Sequence, residues 1–118
     1  MKIAYLDGKR MYRVLYAGIQ SLLDEQDYLN KINVFPVPDG DTGTNMAFTL
    51  MGIIEHIQAH SQLALNELSQ RVADAALDNA RGNSGVIMAQ FFQGLSQGLE
   101  PFAAVNTSQF AGASKLAV

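Results

Sequence analysis

The chain has 118 residues, 48% hydrophobic and 16% charged, enough for one globular domain around one core. Its formal net charge of −3 leaves no cationic surplus for a nucleic-acid partner, and its eight Lys and Arg form no run. The absence of cysteine excludes disulfides, zinc–thiolate centres and thiol nucleophiles; with no apolar stretch near the ~18 residues of a membrane span and no signal-peptide pattern at the N-terminus, a cytoplasmic protein is expected.

The apolar pattern is helical almost throughout. Met11, Val14, Leu15, Gly18, Ile19, Leu22 and Leu23 recur at three- and four-residue steps, the mark of one helix face, and Asp7 is placed to cap it. Residues 27–32 read as a separate turn of helix. Met46, Leu50, Ile53, Ile54 and Ile57 define a helix over 44–58, and Leu68, Val72, Ala75 and Ala76 one over 66–80. The segment 84–99 is apolar on most sides through Val86, Ile87, Met88, Phe91, Phe92 and Leu95, so it is expected inside a bundle. Thr107 and Ser108 read as caps for a fifth helix starting near Gln109. Met46, Met51 and Met88 are expected as core filler. The fold class is all-α, an antiparallel helical bundle or barrel. The last helix has barely begun at Val118 and carries no closing Gly, Asn or Pro. The chain is therefore expected to be the N-terminal portion of a longer domain, a frayed terminal helix being the other reading.

Two segments break the helical pattern. The first, 33–45, reads NVFPVPDGDTGTN. Asp39 and Asp41 flank Gly40, whose freedom lets both carboxylates turn toward one point. Mg²⁺ takes one or two carboxylates together with water and phosphate oxygens. The loop then runs into a helix start, where Thr42, Thr44 and Asn45 present hydroxyl, amide and backbone N–H groups to an anion. A plain Asp-Gly turn, with Asp41 or Thr42 as a cap, explains this stretch about as well when it is taken alone. It is no EF-hand, since Thr44 and Leu50 stand where Gly and Glu are required, and the chain has no Walker A motif.

The second segment, ARGNSG (80–85), places Gly82 and Gly85 around Asn83 and Ser84 ahead of another helix start. An interhelical turn capped by Ser84 is the ordinary reading of it in isolation. In an antiparallel bundle, however, the helices over 44–58 and 84–99 start at the same end, because the helix between them runs back. Both glycine-rich loops then meet at one rim, which favours a phosphate site. His56 and His60, one helical turn apart near a helix end, lack the HExxH order and are read as solvated.

NVFPVPDGDTGTNM followed by ARGNSGVI resembles the nucleotide-binding (Dak2-type) domain of the dihydroxyacetone kinase family, in particular the branch associated with bacterial fatty acid kinase. The resemblance implies an α-helical barrel holding ATP at one rim, with Mg²⁺ ions between carboxylates and phosphates. It implies Asp39 and Asp41 as metal ligands, with Asn33 near where the dihydroxyacetone branch has a further aspartate. Thr42, Thr44, Asn45, Gly82, Asn83 and Ser84 are implied to line the phosphates. It also implies a kinase whose acceptor, a fatty acid carboxylate or dihydroxyacetone, is held by a partner protein or another domain; a homodimer and a non-catalytic nucleotide-binding or docking module are further expectations. No nucleophile or general base stands out, and the 118 residues alone are expected to be inactive.

Overall fold

Asp7 opens the first helix as its position suggests: its side chain accepts from the Arg10 backbone N–H at 2.8 Å and pairs with the Arg10 guanidinium at 3.1 Å. In the computed structural model, which describes residues 5–32, 40–58 and 62–117, the order is β1 (Tyr5–Asp7), α1 (Gly8–Asp24), α2 (Gln26–Lys31), α3 (Thr42–Ile57), α4 (Leu65–Asn79), α5 (Gly82–Leu99), β2 (Ala104–Asn106) and α6 (Thr107–Ala117). The all-α class holds, with one very small ribbon added. Among the described residues, no helix is long and apolar enough to cross a membrane.

Helices α3, α4 and α5 run up, down and up, and α4 packs against both of its neighbours. Their shared interior is built from Ile53 and Ile57 of α3, Leu65, Leu68, Val72 and Ala76 of α4, and Leu95 and Leu99 of α5. α1 lies across α3 and α4 through Met11 and Ile19. α6 lies along the second half of α5, where Gly94 and Gly98 allow close approach. A Cβ at Gly98 would stand 2.6 Å from Ala113 Cα, and one at Gly94 the same distance from Ala117 Cα. These small residues bring the two backbones together, so α6 is held by main-chain proximity as well as by side chains.

The ribbon closes one end of the bundle. β1 and β2 pair antiparallel, Leu6 opposite Val105, and Val105 is fully buried. The segment leading into β2 then serves the start of α4: Leu65 N–H donates to Ala103 O at 3.0 Å, Asn66 N–H to Phe102 O at 3.1 Å, and Asn66 Nδ2 to Glu100 O at 3.0 Å. Helix N–H groups that lack partners within the helix are thereby satisfied by another segment's carbonyls.

Several expectations need correction. α6 begins at Thr107, and its cap is Asn106, not Thr107 or Ser108. Gln109 N–H donates to Asn106 Oδ1 (2.9 Å) while Asn106 N–H donates to Gln109 Oε1 (3.0 Å), a reciprocal capping box. On α1, Val14 and Gly18 turn away from the core. Met51 is half exposed, and Val86, Ile87 and Phe91 lie open on α5 although an interior position was expected for that helix. α3 and α4 cover one side of α5 and α6 covers its second half, but no described element lies over the outer face of its first half. Phe48 and Met51 of α3 are exposed apolar side chains as well, and exposed apolar surface favours association. The 118-residue chain is expected to self-associate in sedimentation velocity, and the double variant Ile87→Lys, Phe91→Lys to reduce that association; a strictly monomeric parent chain would contradict this.

Candidate functional site

The rim expected from connectivity is present, with α3 and α5 starting side by side. It depends on a fully buried hydroxyl. Thr49, two turns into α3, donates from Oγ1 to Asn45 O (2.9 Å) and accepts the Arg81 backbone N–H (3.2 Å). The turn between α4 and α5, only Ala80 and Arg81, is thus tied to the flank of α3.

The two glycines of the second motif make that tie possible, for different reasons. Gly82 has φ +68°, which L side chains rarely adopt, and a Cβ there would also press on the Asn45 side chain, 2.7 Å from its Cγ. Gly85 has an ordinary backbone, but a Cβ would lie 2.5 Å from Thr49 Oγ1. Ser84 adds a link by donating from Oγ to Thr42 O at 3.3 Å. It does not cap its own helix, and Gly82, Asn83 and Ser84 form the first turn of α5 rather than a loop ahead of it.

α2 forms a third side of the rim. Asn30 clasps Thr44: Thr44 N–H donates to Asn30 Oδ1 (3.0 Å), and Asn30 Nδ2 donates to Thr44 Oγ1 (2.9 Å). Gln26 Nε2 donates to the same hydroxyl at 3.3 Å. Gly43 lets α2 approach, since a Cβ there would meet Leu29 Cβ at 3.0 Å and the Gln26 carbonyl oxygen. The Thr44 hydroxyl can still donate its own hydrogen, but its backbone N–H is already used.

The sequence-derived candidates are therefore placed as follows. Thr42, Asn45, Gly82 and Ser84 are brought together, Asn83 is exposed in the same turn, and Thr44 lies beside them facing α2. Asp41 is exposed at the N-cap position of α3, and its carboxylate does not cap that helix. Gly40, just before it, has φ +66°, so the backbone between the two aspartates takes the turn that glycine permits. Asn33 and Asp39 lie outside the described residues. Among the described residues no group of three or more His, Asp or Glu is gathered that could hold a metal by itself, so any cation at Asp41 would need Asp39, water or phosphate oxygens as further ligands.

The helix starts differ in how they are satisfied. α1 has the Asp7 cap, α4 has the carbonyls of Phe102 and Ala103, and α6 has its capping box. No side chain caps α5, and the first-turn N–H groups of Gly82, Asn83 and Ser84 have no acceptor among the described residues. Three such donors beside a second helix start favour an anion. Sequence reading missed Asn30, Gln26, Thr49 and the Arg81 guanidinium, which lies 4.9 Å from the centre of the Phe48 ring. Gln26 and Asn30 did carry a signal, two polar residues four apart on one helix face.

Residues 36–118 match the family described as DAK2 domain. The chain belongs to this dihydroxyacetone kinase family. Asp39, Asp41 and both glycine motifs lie within the matched span, and Asn33 falls before it. The DAK2 chain is 39% identical over 116 residues to an uncharacterized protein of Staphylococcus saprophyticus, covering 98% of this chain and 21% of that protein. It is 36% identical over 118 residues to protein YloV of Bacillus subtilis, covering 100% of this chain and 21% of YloV. An uncharacterized protein of Staphylococcus haemolyticus is 35% identical over 116 residues, with 98% and 21% covered. The DAK2 chain spans about a fifth of the length of these relatives.

Replacing Thr49 by Val keeps its volume but leaves the Arg81 N–H without its acceptor. Urea denaturation is expected to show a loss of about 1–3 kcal/mol, and Thr49→Ser to recover much of it; equal losses in the two variants would show that packing, not the hydroxyl, matters.

Proposed function

We propose that this DAK2 domain is the Mg²⁺·ATP-binding part of a kinase, with the triphosphate lying at the rim where α3 and α5 begin. The carrying observation is that these two helix starts converge there, with three α5 N–H groups lacking acceptors among the described residues. The residues fit the ligand. Gly82 and Gly85 let the start of α5 lie close against α3, and Asp41 with Asp39 supplies the carboxylate oxygens that a hard cation takes. The family, whose name is that of a kinase, supports the same reading.

Bound Mg²⁺·ATP supplies the phosphoryl group and the positive charge that offsets it. The chain's part is to hold and orient. Gly82, Asn83 and Ser84 direct N–H groups at phosphate oxygens, Thr42, Thr44 and Asn45 bind alongside, and the Thr49 link keeps the two helix starts in register. Asn33, by its place in the motif, is assigned as a neutral oxygen donor to the metal.

For the acceptor, the favoured reading is a fatty acid carboxylate presented by a lipid-carrying partner protein, yielding an acyl phosphate. The motifs NVFPVPDGDTGTNM and ARGNSGVI support it through their likeness to that branch. The second reading, dihydroxyacetone held by another subunit or domain, is favoured by the family's name. The acidic, cysteine-free composition suits the cytoplasm for either. Because the relatives are about five times longer, the acceptor-binding groups are assigned to regions outside these 118 residues.

The test uses the kinase at the relatives' full length. ATP-dependent phosphoryl transfer is measured with a loaded fatty-acid-binding protein and, separately, with dihydroxyacetone. Asp41→Asn is expected to lower turnover at least ~100-fold with whichever acceptor is used, while Glu55→Gln, remote on α3, leaves it unchanged. Undiminished turnover in Asp41→Asn would refute the assignment, and turnover with dihydroxyacetone alone would move the function to the second reading.

A further inference from the structure

At the opposite end of the bundle from the rim, the ribbon, the start of α1 and the start of α6 enclose an open pocket of about 590 Å³. That volume lies within the range of small-molecule sites. Its walls are apolar where Leu6, Val14, Val105 and Phe110 meet, and cationic where Arg10 and Arg13 enter. Val14 is 61% exposed, although it belongs to the apolar run of α1, so an apolar side chain faces this space and not the core.

The charge here runs against the chain as a whole. The protein carries −3, yet α1 holds Lys9, Arg10 and Arg13 before its one acid, Asp24. Arg10 is already engaged, paired with Asp7 at 3.1 Å and lying 4.7 Å from the centre of the Tyr5 ring. Arg13 makes no ion pair or hydrogen bond with the described residues. The start of α6 is closed by the Asn106–Gln109 box, so an anion in this pocket would be read by Arg13 and not by that helix's N–H groups.

We infer that this pocket is a second binding site, for a small carboxylate carrying a bulky apolar body. The body lies on Leu6, Val14 and Phe110, and the carboxylate meets the Arg13 guanidinium. The site is separate from phosphoryl transfer. α3 alone spans sixteen residues between the two ends, about 24 Å at the helical rise, so a ligand here cannot be the acceptor at the rim. Because β1, β2 and α6 all border the pocket, its occupant would fasten the ribbon to the helices beside it.

The test titrates the 118-residue chain with 2-naphthoate, neutral 2-naphthalenemethanol and cationic 2-naphthylmethylammonium, following the amide resonances of Leu6, Val14, Val105 and Phe110. Saturable naphthoate shifts at these positions are expected, with binding about tenfold weaker for the alcohol and none for the ammonium. Arg13→Gln should weaken naphthoate about tenfold and leave the alcohol unchanged. Val14→Glu, a substitution at an exposed position, should abolish naphthoate binding while the amide spectrum stays folded. Equal binding of the three probes, shifts confined to Phe48, Ile87 and Phe91, or no saturable shift at all would each overturn the inference. None of these outcomes bears on ATP binding at the rim.

Discussion

The distance between α3 and α5 at their first turns is set by one buried hydroxyl and two absent side chains. Thr49 can bond both Asn45 O and the Arg81 N–H only because Gly85 brings no Cβ against it and Gly82 turns through a positive φ beside Asn45. A Cβ added at Gly82 or Gly85 would push the start of α5 away from α3. The N–H groups of Gly82, Asn83 and Ser84 would then no longer face the same space as Thr42 and Asn45. The spacing of the two glycines in GNSG is thus explained by the neighbouring helix.

The ends of the bundle are finished in contrasting ways. At the ribbon end, backbone carbonyls, a capping box and the Asp7 cap account for the helix starts of α4, α6 and α1. At the rim, α3 is partly satisfied by Asn30 from α2, and α5 is left without a cap. A stable fold satisfies its polar groups where it can, and the same chain does so thoroughly at one end. Among the described residues, the first-turn donors of α5 are left open at the other end, where the phosphate site is proposed.

Much of this was legible in the sequence because helices bury regular stripes. Leu68, Val72, Ala75 and Ala76, and Leu50, Ile53, Ile54 and Ile57, were identified from spacing alone and all are buried. The meeting of the two glycine motifs followed from counting helix directions. The ribbon was not legible: YLD and AVN are three residues each, too short to alternate, and they pair across a hundred residues of chain. The exposure of Val86, Ile87 and Phe91 was missed because an apolar helix reads as interior whether or not anything covers it. Asn106 was overlooked as a cap because Thr107 and Ser108 beside it are equally good cap residues, and only the reach of Gln109 decides between them. The clasp of Asn30 on Thr44 depends on how α2 folds back, which local pattern does not reveal. Asn33 and Asp39 fall outside the described residues.

The most direct test of the central claim is a titration of the chain with Mn²⁺·ATP in place of Mg²⁺·ATP, reading paramagnetic broadening of backbone amide resonances. Even weak binding is detected this way. Broadening concentrated at Asp41, Thr42, Gly82, Asn83 and Ser84, and reversed by excess Mg²⁺·ATP, is the predicted result. Broadening that spares both helix starts, or that follows Mn²⁺ alone to the exposed acids elsewhere, would contradict the account.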